Sequence, residues 1–218
     1  MKTYAVHKIE PEKMKINGRI DHVNWNLAEP LADFSSPWNP KPIEKTEFKA
    51  LWDGAYLYFG FTVYEKDVFT DVIRHGNEAI NHSDRVELFF RTDANMNPYY
   101  CLEMDTTCRV MDFKALPEKQ FDFEWSWPKD GLELKSCRDK EKYQVEGRIS
   151  IQSLKDLNLI NGNKIQTGVY RANYLKTRDG QREPQWICWV DPKTDEPNFH
   201  VPSSFGTFIL EQEPKSKQ

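Results

Sequence analysis

The sequence predicts an all-β, antiparallel β-sandwich with long loops and one short helix. Short stretches alternate apolar and polar residues, turn signals recur about every ten residues, and almost no segment carries a helical stripe. The clearest strand is Asp84–Arg91. Val86, Leu88 and Phe90 point one way, and Arg85, Glu87, Phe89 and Arg91 point the other. This is the pattern of a half-buried strand, with outward side chains about 7 Å apart on a rigid surface.

The other elements follow in order. Lys15–Asp21 reads as a short strand with a turn at Asn17-Gly18, and His22–Leu27 as a helical turn capped by Asp21, with Trp25 and Leu27 inward. Residues 29–47 carry four prolines and read as a surface loop holding Phe34 and Trp38. Glu47–Trp52 and Ala55–Tyr64 form a hairpin across Asp53-Gly54. Residues 67–83 read as an irregular loop before the central strand. Tyr99–Asp105, Arg109–Phe113, Phe123–Trp127, Gly131–Cys137, Tyr143–Ile151, Lys164–Tyr174, Trp186–Val190 and Phe205–Leu210 supply further β segments. Ser150–Leu159 is the one helix, because Ile151, Leu154 and Leu157 share a stripe. Residues 211–218 read as a frayed tail. The whole chain, 1–218, is expected to be one domain with its core at about 14–210.

Composition narrows the function. A net charge of -4 leaves no basic footprint for nucleic acid. No stretch is long or apolar enough to insert in a membrane, and the first residues lack the apolar region of a signal peptide. The four cysteines include no C-x-x-C pair, so a zinc site of the usual spacing is not expected and free thiols are.

No nucleophile elbow, phosphate loop or dinucleotide fingerprint occurs. Two carboxylates, Glu87 and Glu103, could share a sheet face, and a glycoside hydrolase using such a pair is one alternative reading. Haem held by Met104 or Met111 with His75 or His82 is another, on unspecific spacing. Calcium could take Asp53, Asp67 and Asp84, without an EF-hand pattern. Aromatic rings are more informative. Sugars present apolar C–H faces to rings and hydroxyls to planar polar groups. Trp38, Phe199, Tyr99 and a two-ring shelf of Trp125 and Trp127 are candidate platforms.

Ordered motifs then carry a resemblance. The chain reads Ile16-Asn-Gly-Arg-Ile-Asp21-x-x-x-Trp25, Phe48-x-Ala-Leu-Trp52-Asp53-x-x-Tyr56-Leu57-Tyr58 and Asp84-x-Val86-Glu87-Leu88-Phe89. Tyr143-x-Val145-Glu146-x-x-Ile149-x-x-x-x-Leu154, Trp189-x-Asp191-Pro192 and Phe205-Gly206-x-x-x-Leu210 follow. Over about residues 14–210 this order resembles the family 9 carbohydrate-binding modules, a DOMON-like sandwich. The resemblance implies non-catalytic binding of an oligo- or polysaccharide, as an accessory to xylan- or glucan-type degradation, and from it alone an extracellular or periplasmic setting. It implies Glu87 as a contact to sugar hydroxyls and two tryptophans clamping the sugar. Here those places hold Asn81, which removes one wall, and Phe199, which is still aromatic. Trp38 or the Trp125/Trp127 shelf could supply the missing wall. Arg85 on the same strand and Arg171 and Asn173 on the strand Lys164–Tyr174 are expected as polar neighbours. Calcium sites occur in the family but map to no residues here. A protein-interaction sandwich whose sugar site is lost remains the third reading.

Overall fold

The hairpin at Asp53-Gly54 forms as expected. It joins β2 (Thr46–Trp52) to β3 (Tyr56–Val63). The Asp53 carboxylate accepts the Ala55 and Tyr56 amides at 2.9 and 2.8 Å and the Tyr58 hydroxyl at 2.9 Å, while Gly54 takes a φ of 92°. In this computed structural model, which describes residues 2–11 and 14–214, eleven further strands extend the sheet. They are β1 (Thr3–Lys8), β4 (Arg85–Arg91), β5 (Tyr99–Asp105), β6 (Val110–Leu116), β7 (Gln120–Asp122), β8 (Leu132–Arg138), β9 (Tyr143–Ser150), β10 (Ile160–Asn161), β11 (Lys164–Lys176), β12 (Arg182–Cys188) and β13 (Gly206–Pro214). Two helices, α1 (Gly76–Asn81) and α2 (Ile151–Asp156), complete the fold with two short 3-10 turns.

The strands hydrogen-bond in the order β7-β6-β5-β4-β11-β13-β1-β2-β3-β9-β8, with β10 and β12 also on β11. This path folds back on itself as a sandwich. Phe48, Phe59, Phe61 and Val145 of one half meet Val86, Leu88, Phe90 and Leu102 of the other in the main core. The ladders are antiparallel except around β1, which runs parallel to both β13 and β2.

Several local expectations change. Lys15–Asp21 forms no strand, and Thr3–Lys8 does. The turn after it is a 3-10 turn over Val23–Leu27, capped by His22, whose Nδ1 accepts from the Asn24 amide at 3.2 Å, rather than by Asp21. Residues 67–83 contain α1. The end of the chain is paired through Pro214 in β13, and residues 215–218 of the expected tail lie outside the described residues. Helix α2 forms where expected, with the Ser150 hydroxyl accepting the Ser153 amide at 3.0 Å. All four cysteines are free, with Cys101 and Cys188 buried.

Segment 15–21 gives up strand pairing for a different bond set. Glu146, fully buried in β9, accepts the Asn17 and Gly18 amides at 2.8 and 2.9 Å through one oxygen and the Trp25 indole at 3.0 Å through the other. Gly18 is required for this approach, since its φ is +85° and a Cβ would lie 2.7 Å from the Ser136 carbonyl carbon. Replacing Glu146 with Ala leaves three donors without their acceptor. Urea unfolding is expected to show a loss of about 3 kcal/mol or more, and a loss below about 1 kcal/mol would mean water replaces the carboxylate.

Candidate functional site

Register places a set of polar and aromatic side chains on the second face of the β4 half. Glu87 of β4 pairs with Glu103 of β5 on one side and Tyr170 of β11 on the other. Glu103 pairs with Met111 of β6, and Tyr170 with Cys188 of β12. Cross-strand partners share a face, so Met111, Glu103, Glu87, Tyr170 and Cys188 form one row. Phe113, Cys101 and Phe89 form the row beside it, and Arg85, Ala172 and Trp186 the row on the other side.

This face is not the exposed charged surface that alternation suggests. Every residue of β4 is buried. A second apolar cluster covers it, built from Ile80 of α1, Phe199, Phe205 and the rings of the outer strands. Inside that cover lies a pocket of about 540 Å³. Arg85, Glu87 and Glu103 form its floor. Phe113, Phe121, Phe123, Trp186, Phe199 and His200 form its aromatic lining, with His200 against Phe121 at 4.9 Å, and Asn77, Glu78 and Asn81 come from α1.

One cation faces two carboxylates on the floor. The Arg85 Nε lies 2.9 Å from Glu87 Oε1 and 2.6 Å from Glu103 Oε2. All three atoms are buried, so the guanidinium and the two carboxyls meet as a desolvated ion triad. The remaining guanidinium nitrogens bond Asn81, at 2.9 Å to its carbonyl and 3.4 Å to its side-chain oxygen. Tyr174 also donates to the Asn81 carbonyl. The guanidinium lies over the Trp186 ring, 5.4 Å from the centroid. Burial pushes both glutamate carboxyls above the ordinary carboxylate range. For Glu87 the neighbouring Glu103 charge adds to this, and Arg85 opposes it at both. Burial also works against the Arg85 charge, but Glu103 and Glu87 outweigh it and the guanidinium stays protonated. A single arginine cannot neutralise two buried carboxylates, so the pair retains a proton.

The aromatic walls are held by specific packing. Tyr170 stacks on Phe199 at 4.2 Å and 11°. Its ring lies back over Gly168, where a Cβ would sit 2.0 Å from the hydroxyl oxygen, and that hydroxyl donates to Ser204 Oγ at 2.7 Å. Phe199 is therefore a packed ring, 6% exposed, that reaches the pocket with its free side. Phe121 and Phe123 are 37% and 50% exposed. The His200 Nδ1 lies 3.1 Å from the Tyr99 hydroxyl, and burial lowers the imidazole to about 3, with Lys119 and Arg85 adding to the effect, so it is neutral at neutral pH.

Of the residues read from the sequence, Arg85, Glu87, Phe199 and Asn81 meet at this pocket. Arg171 and Asn173 do not. Arg171 pairs with Val86, so both face the sandwich interior. Arg171 is fully buried against Glu65 at 3.3 Å, and Asn173 bonds Gln185 at 3.5 Å. Trp125 and Trp127 are no shelf. Their rings meet at 80°, Trp125 on Tyr100 and Trp127 on Phe90, closing the main core. Trp127 also donates to Ser153 Oγ at 3.2 Å. Trp38 packs behind Phe199 and donates to the Thr194 carbonyl at 2.8 Å, outside the pocket lining. Sequence reasoning missed Trp186, Phe121, Phe123, Phe113 and His200 as a group. The alternation of Trp186 with Gln185 and Ile187 was available, but the register that brings it opposite Ala172 was not.

The metal readings do not fit the residues. Asp53 is used by its turn, Asp67 pairs with Arg182 at 2.8 Å, and Asp84 accepts the Phe69 and Tyr174 amides at 2.8 and 2.6 Å. Among the described residues no three His, Cys, Asp or Glu are grouped to hold a metal. For the haem reading, Met104 is enclosed in the main core and Met111 packs in the second cluster, while His75 is exposed at the start of α1 and His82 sets its Nδ1 against the Glu78 carbonyl at 2.9 Å.

A two-layer sandwich with an aromatic-walled, polar-floored pocket on one outer face defines a small-ligand binding domain. Its sequence matches the family model of the carbohydrate family 9 binding domain-like proteins over residues 16–213, and the chain belongs to that family. Domains of this family are binding modules and not enzymes. A candidate carbohydrate-binding protein from Bacteroides uniformis shares its fold at a TM-score of 0.75 and 16% identity, covering 96% of this chain and 99% of that one. A family 9 carbohydrate-binding module from Caldicellulosiruptor kristjanssonii in complex with glucose has a TM-score of 0.64 at 19% identity, covering 100% and 98%. The cellotriose complex of such a module from the same organism gives 0.62 at 18%, covering 99% and 95%. No curated protein sequence matches the chain.

The floor predicts a pH effect on stability. A carboxyl with its native pKa above the unfolded value contributes stability that is complete below the unfolded value and is lost as pH rises through the native one. Glu87 and Glu103 both have this sign. His200 has the opposite sign but acts only below its unfolded value of 6.5. The melting temperature of the wild type is expected to fall from about pH 6.5, where the opposing His200 effect ends, to about pH 8, and to level off above that. Glu103→Gln, which leaves Glu87 with Arg85 to itself, should flatten that fall. Equal slopes in the two proteins would mean the pair does not titrate there.

Proposed function

We propose that the domain binds a saccharide in this pocket, non-catalytically, as an accessory to the degradation of a xylan- or glucan-type polysaccharide. The observation that carries the reading is the joining of two buried carboxyl groups, which share one guanidinium, to partly exposed rings in one cavity of about 540 Å³. Sugar hydroxyls would donate to Glu87 and Glu103, and the apolar ring face would lie on Phe123 or Trp186. Phe121 and Phe123, partly exposed in the same lining, offer the ring surface that Asn81 cannot supply. The two structural relatives solved with glucose and with cellotriose support a glucan-type backbone as the first ligand to try. A pocket with this chemistry also argues against a module whose sugar site is lost.

A glycan array on the intact chain, followed by calorimetry, tests the reading, and silence across the array would end it. Trp186→Ala and Phe123→Ala are each expected to weaken binding about tenfold, from the loss of roughly 1–1.5 kcal/mol of ring contact. Trp125→Ala should leave affinity within about twofold. Affinity that falls with Trp125 and not with Trp186 would move the site to the other face of the sheet.

A further inference from the structure

The charge balance of the pocket points to a more specific ligand. Arg85 is the one cationic side chain in the lining, and three carboxylates, Glu78, Glu87 and Glu103, line the same space. All the nitrogens of Arg85 are turned to protein groups: Asn81 takes the outer two, and Nε lies between the glutamates. Its flat face is covered by Trp186. Its charge is thus already shared with Asn81 and the two glutamates, and no second cation in the lining stands ready for a ligand anion. Glu87 and Glu103, 1% and 4% exposed, meet the guanidinium through Oε1 and Oε2 and line the pocket with the rest of their carboxyl groups. His200 adds no positive charge, because it is neutral at neutral pH. Lys119 stands outside this lining, at an adjoining groove shared with Trp186 and His200.

We infer that the pocket selects saccharides by charge, favouring amino sugars with a protonated amine, accepting neutral sugars less well and excluding uronates. This rests on the saccharide reading above and names its substrate class. An ammonium brings three donors and a full positive charge to two carboxylates that share one guanidinium. It takes the place of the proton the pair holds, which leaves to solvent. The surrounding rings of Trp186, Phe121 and Phe123 favour a cation over bulk apolar surroundings would. A uronate would bring a fourth acid to a lining with three carboxyl groups and one guanidinium, and burying its charge without a cation of its own is costly. Hydroxyls alone satisfy the acceptors without using the charge.

The test compares three β-1,4-linked trimers on the intact protein by calorimetry at neutral pH: glucosamine, glucose and glucuronic acid. They share a backbone and differ in substituent charge. The glucosamine trimer should bind at least about tenfold tighter than cellotriose, and the glucuronic acid trimer about tenfold weaker or not at all. In Glu103→Gln, which keeps the side-chain shape, the amine preference should shrink to about threefold or less. Equal binding of amine and neutral trimers overturns the inference while leaving the saccharide reading intact, and so does a glucuronic acid trimer that binds as well as cellotriose. An amine preference unchanged in Glu103→Gln also overturns it, by locating the charge elsewhere. If none of the trimers binds and the glycan array is silent, the saccharide reading fails and this inference with it. If the array finds only other sugars, acidic ligands among them overturn the inference and a set enriched in amines supports it.

Discussion

Arg85, held between Glu87 and Glu103 across two paired strands, is the constraint that the outer face of the sandwich is organised around. Burying three ionisable groups on a sheet is costly unless they neutralise one another or meet a ligand. Here they do so incompletely, with one positive group for two carboxyls. The surrounding elements complete the arrangement. The C-terminal end of α1 supplies the Asn81 oxygens that hold the guanidinium, Trp186 covers its face, and Tyr174 shares the Asn81 carbonyl. Removing any of these would leave charge in an apolar cluster. A purely structural ion pair would be expected to balance its charges. An excess of carboxyl over guanidinium at the floor of a cavity is what a binding site retains.

The aromatic cover is a consequence of strand β11. Its 13 residues pair in turn with β13, β4 and β12, so it links the two halves of the sandwich. One face of it sends Val169 and Arg171 to the interior, and the other sends Tyr170 and Ala172 to the pocket side. Gly168 permits the Tyr170 ring to lie flat, and that ring in turn seats Phe199. A bulky residue at 168 would therefore disturb a wall of the pocket without touching it. Such dependence of a surface ring on a glycine two residues from its support explains why Phe199 is a rigid part of the wall and not a mobile loop aromatic.

Most central strands, the hairpin at Asp53-Gly54 and helix α2 were legible because they depend on local periodicity and turn chemistry, whereas Thr3–Lys8 was missed and Lys15–Asp21 and Phe123–Trp127 form no strand. Which side of a strand faces what was legible only in part. The alternation of Arg85 and Glu87 against Val86 and Leu88 is real, yet the polar side is buried, since the helix and loops that cover it leave no mark in β4 itself. Arg171 and Asn173 were placed beside Glu87 by strand character, and the register opposite Val86 turns them to the other face. A shift of one residue reverses every side chain. Trp125 and Trp127 do lie close together, but on the core side, where Phe90 and Tyr100 accept them. Trp186 was hidden for the same reason, because its neighbours in space come from β4 and from loops far away in sequence.

The loss of an aromatic residue at Asn81 reads differently once its contacts are known. Its carbonyl and side-chain oxygen both engage Arg85. A tryptophan there would keep the carbonyl bond and lose the side-chain one. The exchange is thus coupled to the arginine on the floor: a short polar side chain steadies the cation, and ring surface in the same lining comes from Phe121 and Phe123. They leave a pocket whose walls are aromatic and whose floor carries more acceptors than donors, and that imbalance sets what the pocket can admit.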